Sequence, residues 1–240
     1  PDNRNLASWI PLAIAVLSAL AMALREGGLL RSVIFIPGHP DLFGEWWRFL
    51  TYPFFTAARP LSLLFTTLFL WWVSIPVEEQ HGSLSYLLLF FVAGIGAAFA
   101  SLLINALLGG SAIPFLLGPE AVLWAATWIF SRINPDHQFY FMFVIPVKAR
   151  WFPLLFLGAR ILLGGLLQGG MMARMVALTI AAELLGAALG LLFLRLAGAR
   201  RAATGRRAAR KDHARRQEAD GNARKAGEKA AAPLLALEAR

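Results

Sequence analysis

Residues Leu84–Leu108 read LSYLLLFFVAGIGAAFASLLINALL and contain no charged side chain. A helix rises about 1.5 Å per residue, so a run of this length can cross the roughly 30 Å hydrocarbon core of a bilayer. The apolar residues are continuous and do not alternate with polar ones, which favours a helix over a barrel strand. The segment is therefore predicted to be a membrane-spanning helix.

Further apolar runs lie on both sides of this segment. The predicted spans are about Trp9–Leu24, Pro60–Val77, Leu84–Leu108, Ile113–Phe130, Trp151–Leu167 and Met171–Leu196. Hydrophobic residues make up 58% of the 240 residues and charged residues only 15%, whereas about a quarter of a typical soluble protein is charged. These observations predict an all-α, polytopic membrane protein with a six-helix domain at residues 1–197 and a basic tail at residues 198–240.

Two connecting stretches do not fit a simple span. Leu29–Arg59 is too polar to cross a bilayer but is rich in aromatic residues, a mixture that suits the headgroup region. It is predicted to form an interfacial outer loop after the first helix. Phe139–Val147 is apolar but short, so it either extends the fourth span or forms a loop at the membrane surface.

The tail determines the predicted orientation. Residues 199–240 hold 12 Lys and Arg against 5 Asp and Glu, and positive residues stay in the cytoplasm. Both termini are thus expected to be cytoplasmic, in a bacterial-type inner membrane. The tail is expected to be solvated and to set the topology; the alternative is that it binds anionic lipid at the membrane surface. The tail has no aromatic residues for base stacking, so no specific nucleic-acid partner is expected.

Several short motifs occur in a recognisable order. They are GEWWRFLT at Gly44–Thr51, LLFTTLFLWW at Leu63–Trp72, VEEQHGS at Val77–Ser83, IPVKARW at Ile145–Trp151 and GAALG at Gly186–Gly190. Together, over about residues 5–196, they resemble the rhomboid superfamily. The resemblance implies a six-helix bundle with an outer loop after the first helix.

Two of these motifs have a direct physical reading. Trp47 and Arg48 can anchor the outer loop, with the ring at the interface and the guanidinium on a phosphate or a loop carbonyl. Gly186 and Gly190 lie on one face of a helix, where they permit close approach of a neighbouring helix. Both pairs are expected to shape the fold whether or not they serve a reaction.

The resemblance also locates the chemistry of an active rhomboid. Such a protein would carry Gly-x-Ser-Gly at the start of the fourth helix, a histidine before the GxxxG motif and a His-xxx-Asn pair on the second helix. In this chain the first motif reads Gly118–Ala121, with Glu120 at the nucleophile position. Glu183 stands at the base position, and Ser62 and Thr66 replace the His-xxx-Asn pair. The resemblance therefore implies a pseudoprotease with no catalytic residues.

The substituted positions suggest a polar cluster within the membrane. Carboxylates in a bilayer core are costly and require a partner, so Glu120 and Glu183 are expected to lie close together and share a proton. Arg160, on the fifth predicted span, could pair with either. The cluster could grip a client segment, a proton or a cation, or it could simply fill a vestigial cavity. Without cysteine, and with the histidines outside the predicted spans, no metal or cofactor is expected.

Several functions remain open from the sequence. The first is a pseudoprotease similar to inactive rhomboids or derlins, which binds transmembrane clients without cutting them. The second is a structural accessory subunit of a larger membrane complex. An active intramembrane serine protease would need a nucleophile and base that the matching positions lack, and no repeated halves support a transporter. The expected partners are membrane lipids and a transmembrane client or partner subunit.

Overall fold

The computed structural model describes residues 6–23, 32–42, 44–56, 60–109, 112–141, 145–162 and 170–199. Within these residues, the helices longer than two turns are α1 (Leu6–Ala23), α2 (Pro60–His81), α3 (Ser83–Leu108), α4 (Glu120–Ile133), α5 (Phe152–Ile161) and α6 (Gly170–Ala199). An antiparallel hairpin of β1 (Gln138–Phe141) and β2 (Ile145–Lys148) separates α4 from α5. The chain divides into two compact units, Pro1–Leu194 and Arg195–Arg240, and the bundle belongs to the first.

Two of the described helices, α3 and α6, are long and apolar enough to cross a membrane. The apolar part of α1 is shorter, at Trp9–Ala21. The fifth predicted span extends to Leu167, but residues 163–169 lie outside the described residues. Six membrane crossings therefore stay a prediction, as does the tail at residues 200–240, which lies outside them too.

Helix α6 packs closely against α3. A Cβ atom added at Gly186 would overlap the Ala93 carbonyl oxygen and the Ala97 backbone nitrogen, and one at Gly190 would lie 2.9 Å from Leu89. On the facing helix, a Cβ atom at Gly96 would lie 3.2 Å from the Gly186 Cα. Small residues on both helices thus bring the two backbones into direct contact, as is typical of membrane helices.

Large apolar side chains cover much of the exterior. Leu64 and Phe65 on α2, Leu107 on α3 and Leu192 on α6 are each more than half exposed. An exposed apolar surface of this extent is unfavourable in water and favourable in lipid. The outer surface is therefore that of a membrane protein.

The predicted fourth span was wrong at its start. Helix α4 begins at Glu120 and not at Ile113, because Pro114, Gly118 and Pro119 disfavour a helix between them. The residues just before α4 instead follow an irregular path, and the backbone of Ile113 in this path is held by the Asn105 side chain. The Asn105 side chain donates to the Ile113 carbonyl (3.0 Å) and accepts from the Ile113 N–H (2.7 Å).

The all-α expectation also needs a correction. The stretch Phe139–Val147 does not extend α4, because Gln138–Phe141 and Ile145–Lys148 form the β1–β2 hairpin, in which Phe139 pairs with Val147. Aromatic and β-branched residues dominate this stretch, and they favour strands over helices. The helical class holds for the rest of the described chain.

Candidate functional site

The Gly118–Pro119 turn presents Glu120 at the first residue of α4. Gly118 has a positive φ of 110°, which favours glycine. The Glu120 carboxylate folds back over this glycine, where any Cβ atom would overlap it. Gly118 thus supplies both the turn and the space that the carboxylate fills.

The second carboxylate, Glu183, comes from α6 and is buried, with a side-chain exposure of 7%. Its Oε2 accepts a hydrogen bond from the Trp124 indole N–H at 3.0 Å. The Arg160 Nη2 group donates to both carboxylate oxygens, at 2.7 and 3.0 Å. Glu183 is therefore well satisfied by charged and neutral donors.

Arg160 of α5 stands between the two glutamates. While its Nη2 binds Glu183, its Nη1 lies 3.8 Å from the Glu120 Oε1. The structure thus brings Glu120, Arg160 and Glu183 into one cluster, with the guanidinium linking the two carboxylates. We call these three residues, with Trp124, the charged cluster.

Trp124 is the member of the cluster that sequence reasoning missed. It lies one helical turn after Glu120 and so shares a face of α4 with it, which is the signal that could have revealed it. Its ring packs against Phe156 of α5 with 4.6 Å between centroids. Because Phe156 lies one turn before Arg160, the aromatic pair fixes the spacing of α4 and α5 beside the ion pairs.

Of the two α2 positions in the predicted site, only Thr66 has a described side chain. The side chain of Ser62 lies outside the described residues. Thr66 is described and partly buried, but no hydrogen bond connects it with the described Glu120, Arg160 or Glu183 side chains. Among the described residues, no group of three or more His, Cys, Asp or Glu side chains could hold a metal ion.

The outer loop is held by Arg48 and Trp47. The Arg48 side chain is buried; its Nη1 donates to the Ile34 carbonyl at 2.6 Å and its Nε lies 2.6 Å from the Glu45 carboxylate. Trp47 remains 40% exposed and donates to the Ser32 carbonyl at 3.3 Å. Arg48 therefore binds a loop carbonyl and a carboxylate within the protein, whereas the Trp47 ring stays partly exposed.

Tyr52 connects this loop to the turn before α4. Its hydroxyl donates to the Gly94 carbonyl of α3 at 2.6 Å, and its own carbonyl accepts from the Gly118 N–H at 3.1 Å. Burial raises the pKa of the Tyr52 phenol above its ordinary value, so the group stays a neutral donor. The position of Glu120 is therefore set partly by the outer loop.

Comparison with known proteins gives two findings. Residues 43–200, about two thirds of the chain, match the family model described as Rhomboid domain. A segment of 58 residues is 45% identical to the protein named Rhomboid protease GluP from Bacillus subtilis (strain 168). That segment is 24% of this chain and spans only 11% of the length of the relative.

Proposed function

The chain belongs to the rhomboid family, and from this premise we propose that it is a non-catalytic membrane protein that binds transmembrane clients or partner subunits. The observation that carries the proposal is the charged cluster, in which Arg160 binds Glu183 and lies near Glu120. By resemblance, these two glutamates occupy the nucleophile and base positions. A salt-bridged cluster at those positions favours binding over peptide hydrolysis.

The chemistry of the cluster argues against acyl transfer. Serine catalysis needs a hydroxyl nucleophile and a base that is free to take its proton. The Glu183 carboxylate accepts three N–H···O hydrogen bonds from Arg160 and Trp124, so its oxygens are already engaged as hydrogen-bond acceptors. Glu120, in turn, carries no hydroxyl group.

The start of α4 is also poorly suited to stabilise the oxyanion that forms during acyl transfer. Backbone N–H groups at a helix start can stabilise a developing negative charge. In this chain the Glu120 carboxylate folds back over Gly118 at the start of α4. A second negative charge beside that carboxylate would be repelled, so the helix start is unsuited to a tetrahedral intermediate.

Activity-based labelling tests the proposal. Membranes containing the full chain would be treated with a fluorophosphonate probe, beside an established serine hydrolase and the Glu120→Ser, Glu183→His double variant. We expect no labelling of the unchanged chain, because no activated serine is present in the cluster. Specific labelling of the unchanged chain would overturn the non-catalytic proposal.

A pull-down in mild detergent tests the binding part. Transient capture of several single-span proteins supports a client binder. One partner that co-purifies in a fixed ratio supports the alternative of an accessory subunit. Recovery of the chain alone would contradict both the client binder and the accessory subunit.

An intramembrane serine protease is the second candidate. It is favoured by the 45% identity over 58 residues to a relative that is named a protease. On that reading a serine outside the matching positions would have to act as the nucleophile. The same labelling experiment separates the two candidates, since the protease requires a reactive serine and the binder does not.

A further inference from the structure

The charged cluster is not balanced in charge. It contains two carboxylates and one guanidinium, Glu120, Glu183 and Arg160. Glu183 receives three hydrogen bonds at 3.0 Å or less. The Glu120 Oε1 has Arg160 only at 3.8 Å, beyond hydrogen-bonding distance. Among the described residues, Glu120 is therefore the less compensated of the two carboxylates.

Glu120 and Arg160 form the more accessible side of the cluster. Their side chains are 16% and 31% exposed, whereas that of Glu183 is 7% exposed. Ile161 and Leu162, directly after Arg160, are about half exposed and belong to the apolar exterior. A transmembrane segment that packs beside α5 would thus meet this side of the cluster first.

We infer that the charged cluster accepts a Lys or Arg side chain from the transmembrane segment of its partner, with Glu120 as the counter-charge. This inference rests on the proposed function and names the class of partner. A lone basic residue and an unmatched carboxylate are each costly in a bilayer. Their pairing removes both costs, and the apolar surroundings strengthen the attraction. Partners with a basic residue at the right depth are thus selected over fully apolar ones.

Cysteine cross-linking in membranes tests the inference. The chain has no cysteine, so Ile161→Cys introduces a single thiol beside Arg160. It is co-expressed with single-span Leu/Ala reporters that carry one cysteine and, one turn away, Lys, Met or Glu. In separate reporters, the Lys, Met or Glu is placed near the outer side, the centre or the inner side of the membrane. We expect the Lys reporter to cross-link several-fold more than the Met reporter at one depth, and the Glu reporter less than either.

The matched variants assign the effect to one side chain. Glu120→Gln in the Ile161→Cys background should reduce cross-linking of the Lys reporter to that of the Met reporter. Glu79→Gln, at an exposed glutamate near the end of α2, should leave the preference unchanged. The comparison of three reporters on the Ile161→Cys protein needs no change to the cluster, so it holds even if Glu120→Gln folds poorly.

Three results would overturn the inference. Equal cross-linking of Lys and Met reporters, above that of an unrelated membrane protein, would remove the charge preference and leave partner binding intact. Cross-linking of every reporter at the background level would remove partner binding as well. A Lys preference that emerges only in Arg59→Gln would show that Arg59, directly before α2 and outside the described residues, already neutralises Glu120 in the unchanged protein.

Discussion

At the scale of single residues, Arg160 supplies the positive charge that compensates the two carboxylates of the charged cluster. Its guanidinium gives Glu183 two hydrogen bonds and is the nearest described cation to Glu120. Without it, two carboxylates would face each other between α4 and α6, with the Trp124 indole as the remaining donor. Removal of one member of a buried ion pair is costly because the other charges stay buried.

Arg160→Met is expected to lower the free energy of unfolding by about 3 kcal/mol, toward the low end for a buried pair because the side chain is partly exposed. Thermal unfolding in detergent measures the change. Arg174→Met removes an exposed arginine from α6 and is the control. The Glu120→Gln, Arg160→Met, Glu183→Gln triple variant should regain much of the loss. Equal effects of Arg160→Met and Arg174→Met would contradict a structural role for the ion pairs.

At the scale of elements, the contact between α3 and α6 positions Glu183. Gly186 lies three residues after it and touches the backbone of α3 at Ala93 and Ala97. Any side chain at Gly186 would push the two helices apart, since backbone atoms cannot rotate away. The same displacement would move Glu183 relative to Trp124 and Arg160.

Gly186→Ala is therefore expected to destabilise the protein by about 1–3 kcal/mol, the usual cost of overpacking. Gly158→Ala on α5 is the matched control, because its Cβ atom would have no neighbour within 4 Å. The higher helix propensity of alanine should leave that variant unchanged or up to about 1 kcal/mol more stable. Both are measured by thermal unfolding in detergent. A Gly186→Ala protein as stable as Gly158→Ala would refute the close packing.

At the scale of the whole molecule, charge placement predicts the orientation. The basic tail, with 12 Lys and Arg in residues 199–240, favours a cytoplasmic C-terminus. Six crossings then place the outer loop with Asp41 outside and the turn with Asp136 inside. Asp136 lies 3.9 Å from Lys148, so this side also carries a positive charge.

Single cysteines can test this topology, because the chain has none of its own. A membrane-impermeant maleimide should label Asp41→Cys in intact cells and Asp136→Cys only after permeabilisation. Both positions are exposed, so access to the reagent depends on the side of the membrane. The reverse pattern would invert the orientation, and labelling of both in intact cells would exclude an odd number of crossings between them.

The sequence by itself determined the membrane character and the family. Both depend on local properties: Leu84–Leu108 is apolar whatever its neighbours, and the motifs that resemble rhomboids can be read in order along the chain. The match of residues 43–200 confirmed the family. The sequence also pointed to Glu120, Glu183 and Arg160, because charges in apolar runs are conspicuous.

Tertiary structure decided how those charges are used. The bond from Trp124 to Glu183 joins residues 59 apart in the chain, and only the packing of α4, α5 and α6 brings Arg160 between the two glutamates. The turn before α4 likewise has a distant partner, because the Gly118 N–H donates to the Tyr52 carbonyl. Apolar runs specify that a helix enters a membrane. They do not specify which faces meet, because that depends on the fit of side chains from all the helices at once.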